Sequence, residues 1–223
     1  QHNEMGHELQ KLLQERERLK SRKHALEEMQ AAREGFFQGV REVLRGHARG
    51  EPDYRGVCGV VAELIQVEQH LETAIEVALG AGAQNIVTLT QDDAQRAIEA
   101  LKRTKSGRAT FLPLDILRPS LPADADLRLA NRTGAIGWAS ELVRYDDMFR
   151  PAIQFLLARI LVAESMDAAR ALAHQCQYRY RIVTLDGEII HPGGSMTGGI
   201  QNTKSISILG RSREIRTLSK QLE

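Results

Sequence analysis

Aromatic side chains are scarce in this chain, at one Trp, four Tyr and five Phe in 223 residues. A core here has to be assembled from aliphatic side chains, and its 42% hydrophobic content supplies them. Cysteine is scarcer still. Cys58 and Cys176 stand far apart, which excludes a disulfide framework and fits a reducing compartment with two buried thiols. Charge of either sign is not in excess. The net charge of +1 gives no global field to draw in nucleic acid, so any such attraction comes from a local patch. No apolar run approaches the roughly 20 residues of a membrane helix, and no signal peptide is visible. The chain opens inside a charged helix, as a piece excised from a longer protein would.

Catalytic and cofactor motifs are also lacking. The stretch "HPGGSMTGG", 191–199, packs Gly193, Gly194, Gly198 and Gly199 into a few positions. Gly193 and Gly198 have P-loop spacing, but Gly199 stands where the phosphate-reaching lysine is required. "GAGAQN", 80–85, imitates a dinucleotide fingerprint but ends in Asn85 and precedes a strand instead of following one. Ser195 lacks the frame of a nucleophile elbow. His174 and Cys176 lie two apart with no second pair to complete a metal site. The adjacent carboxylates Asp92–Asp93 and Asp146–Asp147 read as caps or surface residues. No enzyme, cofactor or metal is expected in this fragment.

What is present begins with heptads. Met5, Leu12, Leu19 and Leu26 recur every seven residues, and Leu9 adds an a/d step. Arg16 and Lys23 occupy the remaining core-like positions and weaken the seam. Positions 4 to 34 would span roughly 45 Å as helix. Ile208, Ile215, Leu218 and Leu222 form a second, shorter heptad helix. Either alone reads equally as an amphipathic surface helix. The first, however, carries too few apolar residues to stand by itself, and its sole heptad counterpart lies at the far end of the chain. Pairing the two makes them antiparallel, with residues 4–34 against 206–223 and Leu26 and Met29 nearer the insert than Met5.

The insert reads as mixed α/β. Strands are expected at 85–89, 109–114 and 159–164. A hairpin is expected with strands 181–185 and 188–191 about a two-residue Asp186–Gly187 turn. Apolar faces at Leu71, Ala74, Ile75, Ala78 and Leu79, at Ala94, Ala97, Ile98 and Leu101, and at Ala168, Ala169, Leu172 and Ala173 predict helices, the second opened by a capping box from Thr90 to Asp93. "RPSLPADAD", 118–126, reads as a link between two lobes. The domains expected are 1–35, an N-terminal coil helix; 36–117, lobe I; 118–202, lobe II; and 203–223, the returning helix. For the glycine-rich stretch, a phosphate loop, a protein contact and a plain lead-in loop are the three readings. The missing lysine disfavours the first.

The whole pattern resembles the hinge of the structural maintenance of chromosomes (SMC) family, in a bacterial form. The residues that carry it are "FFQGVREVL" (36–44), "ALGAGAQNIV" (78–87), "GRATFLPLDIL" (107–117), "YDDMFRPAIQFLL" (145–157), "YRYRIVTLDGEIIHPGGSMTGG" (178–199) and "LGRSREI" (209–215). Near Gly82 the family pattern leads one to expect a bulkier residue. The resemblance implies an α/β hinge of two lobes inserted in an intramolecular antiparallel coiled coil. It implies a ring-like homodimer in which Gly193, Gly194, Gly198 and Gly199 lie at the interface. It also implies a cytoplasmic, nucleoid-associated ATPase for chromosome condensation and segregation. The ATP- and Mg-binding heads and the site for the kleisin subunit would lie elsewhere in that longer protein.

A hinge of this kind is also implied to contact DNA. Two basic groups are candidates: Lys102, Arg103, Lys105 and Arg108, with Arg96 nearby, and Lys204, Arg211 and Arg213, with Arg216 beyond. Contact would be to phosphates and independent of sequence, because no recognition module is present. A purely structural dimerisation module with no DNA binding is the alternative reading.

Overall fold

The structure, a computed structural model, describes residues 2–199 and 207–222, with side chains from Gly6 onward. In chain order its main elements are α1 (His2–Ala31), α2 (Gln38–Ala48), β1 (Val57–Val60), α3 (Val61–Leu64), β2 (Ile65–Val67) and α4 (Glu72–Leu79). There follow β3 (Ile86–Thr88), α5 (Gln91–Thr104), β4 (Phe111–Pro113), α6 (Asp124–Leu127), β5 (Ala135–Trp138) and β6 (Val143–Tyr145). The chain continues through α7 (Arg150–Leu157), β7 (Ile160–Ala163), α8 (Met166–Gln175), β8 (Arg181–Thr184), β9 (Ile189–Ile190) and β10 (Met196–Thr197) to α9 (Ile208–Leu222). Two compact units result: residues 1–35 with 206–223, and residues 36–205.

The first unit is the folded-back pair. Arg22 Nε meets Glu214 Oε1 at 2.8 Å, and just beyond α1 the Glu34 carbonyl accepts from Arg211 at 2.7 Å. Residue numbers thus rise along one helix as they fall along the other, so α1 and α9 are antiparallel. Leu26, Leu209 and Leu218 are buried in the seam. Leu9, Leu12 and Leu13 are exposed, at 59%, 65% and 51%, because α9 is half the length of α1. The side chain of Met5, the first heptad position, lies outside the described residues. The helix α1 closes in a Schellman motif: Glu34 N–H donates to Met29 O and Arg33 N–H to Gln30 O, with Arg33 at φ +56°.

The second unit contains two sheets and a ribbon. The first sheet runs β1-β3-β4, the second β10-β9-β8-β7-β5, and β2 pairs with β6 alone. Within each sheet one strand–helix–strand crossover makes a parallel pair: β3-α5-β4 and β7-α8-β8. Its helix is capped by a hydroxyl, Thr90 on Asp93 N–H and Ser165 on Ala168 N–H. The expected capping box at Thr90 is present in full. All four residues of β7 are buried, as in a strand covered on both faces.

These two halves repeat one another, at an offset of 78 residues from β1–α4 to β5–α7 and of 75 between the helix caps Thr90 and Ser165, an internal duplication the sequence reading did not detect. Gly59 and Gly137 sit at matching register shifts of β1 and β5, where a side chain would press on Leu64 at 3.4 Å and on Leu142 at 3.2 Å respectively. Leu71, Ala74, Ile75 and Leu79 correspond to Phe149, Ala152, Ile153 and Leu157. In the β2–β6 ribbon, Gln66 pairs with Arg144, its own counterpart in the repeat. An approximate two-fold axis therefore passes between them.

Several expectations change on contact with the structure. The hairpin turn is not a two-residue turn. Thr184 N–H donates to Glu188 O, and Gly187 N–H to Thr184 O, so the loop holds Leu185, Asp186 and Gly187. Gly187 is its sole residue with positive φ, +86°, the signature of a type I turn closed by a glycine bulge. Gly82, where a bulkier residue was expected, faces Leu156: an added Cβ would stand 3.2 Å from its Cδ2. The leucine on α7 already fills that volume. β1, β2, β5 and β6 were not read from periodicity, since strands of three or four residues show too little of it; the longer α2 and α7 were also missed, although both are amphipathic.

Candidate dimer edge and nucleic-acid surface

The glycine-rich stretch is built from a turn and a strand. His191 N–H donates to Ser195 O at 2.8 Å and Gly194 N–H to His191 O at 2.9 Å, reversing the chain so that Met196 and Thr197 pair with Ile190 and Ile189. Gly193 and Gly194 make that reversal at φ +84° and +98°, a conformation that side chains disfavour. Residues 196–197, which carried no strand signal, thus form β10. It is the end strand of its sheet, with Met196 54% exposed. A Cβ added at Gly193 or Gly199 would meet nothing within 4 Å. At Gly198, whose φ is ordinary, it would meet Glu188 at 3.8 Å, an ordinary contact. Among the described residues, nothing covers the backbone at Gly193 and Gly199.

The basic side chains separate into different surroundings. Lys102, Arg103, Lys105 and Arg108 are all exposed. Arg103 forms an ion pair with Asp53, and Arg96 one with Asp93. Lys105 ends α5 in the left-handed conformation at φ +53°. The backbone at Arg108 lies beneath α2, where Gly39 permits the crossing. α2 brings two cations the sequence reading missed, Arg41 and Arg45, outside its buried stripe of Gly39, Val40, Val43, Leu44 and Gly46. Their signal was the polar side of an amphipathic stretch.

Arg213, in the coil unit, is half-buried; Lys204 lies outside the described residues. Arg211 departs from its expected role as an exposed phosphate ligand. It is only 4% exposed, and its guanidinium donates to the Glu34 carbonyl in the turn that follows α1. A turn carbonyl left without a partner in its own backbone wants a donor, and Arg211 supplies it.

The residues weighed for chemistry have structural partners. Asp146 caps Met148 N–H at 3.0 Å and Asp147 pairs with Arg150 at 2.6 Å. Cys176 is buried while His174 is exposed, its ring edge against Tyr178. Burial, and then the charge of Asp93, push the Cys58 thiol above its ordinary range, away from reactivity. Among the described residues no group of three or more His, Cys, Asp or Glu side chains could hold a metal ion, and no helix is long and apolar enough to cross a membrane.

A pair of antiparallel helices with an α/β unit inserted between them in the sequence is the plan of a hinge module carried on a coiled coil. Residues 54–173 match the family described as the SMC proteins flexible hinge domain. The chain belongs to this family, and it is a hinge domain, not a catalytic one. It is 47% identical over 204 residues to the chromosome partition protein Smc of Bacillus subtilis, covering 91% of this chain and 17% of that protein. To the Smc of Desulfitobacterium hafniense it is 43% identical over 216 residues, covering 97% and 18%. The chain thus spans under a fifth of the length of these relatives. Among solved structures it is similar to an asymmetric dimer of the Geobacillus stearothermophilus SMC hinge domain, at 43% identity and a TM-score of 0.85 over 96% of this chain and 84% of that one. It is also similar to the Pyrococcus furiosus SMC hinge domain, at 31% identity and a TM-score of 0.61 over 82% and 91%.

Proposed function

We propose that this chain is the homodimerisation hinge of a chromosome condensation and segregation ATPase, and that it contacts DNA without sequence preference. The observation that carries the dimer is the open edge at β10 among the described residues, flanked by Gly193, Gly194, Gly198 and Gly199, where a second backbone has room to approach. The similarity to a hinge crystallised as a dimer supports it. The lobes would be 36–117 and 118–202, each centred on one sheet and joined by the β2–β6 ribbon. ATP, Mg and the kleisin subunit belong to the absent remainder of a cytoplasmic, nucleoid-associated protein.

Gly198→Leu tests the dimer without straining the chain, since Gly198 has ordinary φ and only Glu188 nearby. Sedimentation equilibrium should show monomers. Alanine at all four glycines should also give monomers, but Gly193, Gly194 and Gly199 have positive φ and add backbone strain. A Gly198→Leu chain that remains a tight dimer defeats the interface.

The DNA contact is assigned to Lys102, Lys105 and Arg108, joined by Arg41 and Arg45 and more weakly by the ion-paired Arg103. Arg213 is a separate candidate in the coil unit, and Lys204, outside the described residues, stays a candidate from the sequence alone. Reversing Lys102, Lys105 and Arg108 to Glu should weaken binding to any DNA sequence. The slope of log affinity against log salt should fall by about one for each phosphate that is no longer neutralised. Unchanged binding with an unchanged slope would show that the patch is wrongly placed, and a wild-type chain that binds no DNA would leave the purely structural hinge as the correct reading.

A further inference from the structure

We infer that Tyr178, which lies outside the glycine-rich stretch, is the post that fixes the shape of that stretch and so sets dimer affinity. The inference rests on the interface reading above. The helix α8 ends in a Schellman motif, with Gln177 N–H on His174 O at 3.1 Å and Tyr178 N–H on Ala173 O at 2.9 Å. Both Gln177 and Tyr178 have positive φ, +52° and +54°. Two successive non-glycine residues in that region are uncommon, and a bulky aromatic there is an outlier that the surrounding structure must hold in place.

The strained turn faces the glycine segment in two ways. Its carbonyl at Tyr178 accepts from Gly193 N–H at 3.0 Å. Its ring lies under Gly194, where an added Cβ would stand 3.6 Å from Cδ1 and 3.8 Å from Cε1. The ring is itself braced. His174 meets it edge-on at 5.4 Å between centroids, and it packs against the core cluster that holds Cys176, Tyr180 and Ile190.

Gly193 and Gly194 have wide conformational freedom of their own. Without a brace, the turn that delivers β10 to the sheet edge would sample many shapes. Tyr178 restricts it by one hydrogen bond and one ring face. Association with a second copy then selects a conformation already populated, and its ordering cost is lower. Tyr178 is thus a positioning residue that acts on the partner through Gly193 and Gly194.

The test uses the whole 223-residue chain. Tyr178→Asn removes the ring but keeps a residue that tolerates positive φ, and Tyr178→Phe keeps the ring. If removal leaves the competent turn populated about a tenth of the time in each copy, the dimer dissociation constant rises about a hundredfold, a factor of about ten from each protomer. Sedimentation equilibrium should show that rise for Tyr178→Asn and wild-type affinity for Tyr178→Phe. Placing the same changes in the Gly198→Leu background reads their effect on the monomer's thermal midpoint separately from association. If Tyr178→Asn does not fold, Tyr178→Gly takes its place with the same expected rise. Wild-type dimer affinity in the ring-less variant, while Gly198→Leu is monomeric, overturns this inference alone. A dimeric Gly198→Leu overturns the interface reading and this inference with it.

Discussion

Gly39→Ala should destabilise the insert even though alanine is the better helix former. An added Cβ at Gly39 would overlap the Arg108 carbonyl oxygen and lie 2.6 Å from its carbon and 2.8 Å from the Arg108 nitrogen. All three atoms are backbone, so no side chain can swing away. The loop cannot yield freely either. Gly107, at φ +93°, already stands against Gly39 N–H, and Thr110 O accepts from Ile86 N–H at 2.9 Å just before β4. Making room means parting α2 from this loop by about 1 Å, and overpacking of that kind costs about 1–3 kcal/mol or somewhat more. Propensity returns at most ~1 kcal/mol, and less near a helix start. We expect a net loss of about 1–2 kcal/mol, which at about 2–4 °C per kcal/mol for a domain of this size lowers the midpoint by roughly 2–8 °C. Thermal unfolding followed by circular dichroism reads it. A midpoint equal to or above wild type would show that the crossing is not tight, and the reasoning from close approach would fail.

Gly6→Ala is the counterpart: nothing lies within 4 Å of the new methyl, so helicity of α1 should rise, by up to ~1 kcal/mol of stabilisation. Thr90→Ala removes the cap and both hydroxyl bonds to Asp93, and chemical denaturation should show a loss of about 1–2 kcal/mol. Tyr180→Phe takes from the buried Asp126 its 2.7 Å hydroxyl donor and from Ala123 N–H its acceptor, costing about 1–3 kcal/mol in the same assay. Burial, and then the bond to Asp126, hold the Tyr180 hydroxyl above its ordinary range. The unfolded phenol ionises first, so stability is full below about pH 10 and falls as pH rises past it. Tyr180→Phe should shrink that alkaline loss, and an unchanged pH profile would contradict the assignment. Cysteines placed near Leu26 and between Ile208 and Ile215 should crosslink within one chain, as the Arg22–Glu214 pair requires; crosslinks only between chains would refute the fold-back.

Sequence alone determined the elements with long or strongly marked patterns. The heptads fixed the antiparallel pair, because a seam repeats often enough to be read without a partner in view. The capping box fixed the start of α5, because Thr90 and Asp93 satisfy each other within three residues. The quoted family motifs pointed to the hinge. What lay within single short strands was illegible. The β10 strand is two residues long, and its pairing depends on β9 and on the turn at Gly193–Gly194, not on any alternation of its own. The internal duplication was hidden because its identities, such as Leu64 with Leu142 and Ile75 with Ile153, are scattered among positions that differ, such as Gln66 with Arg144 and Leu71 with Phe149. The role of Arg211 was decided by a carbonyl 177 residues away in the chain. The brace that Tyr178 gives the glycine turn likewise exists only in three dimensions. Local propensity is written residue by residue, but the meaning of a bare backbone or a lone cation depends on what the fold places against it.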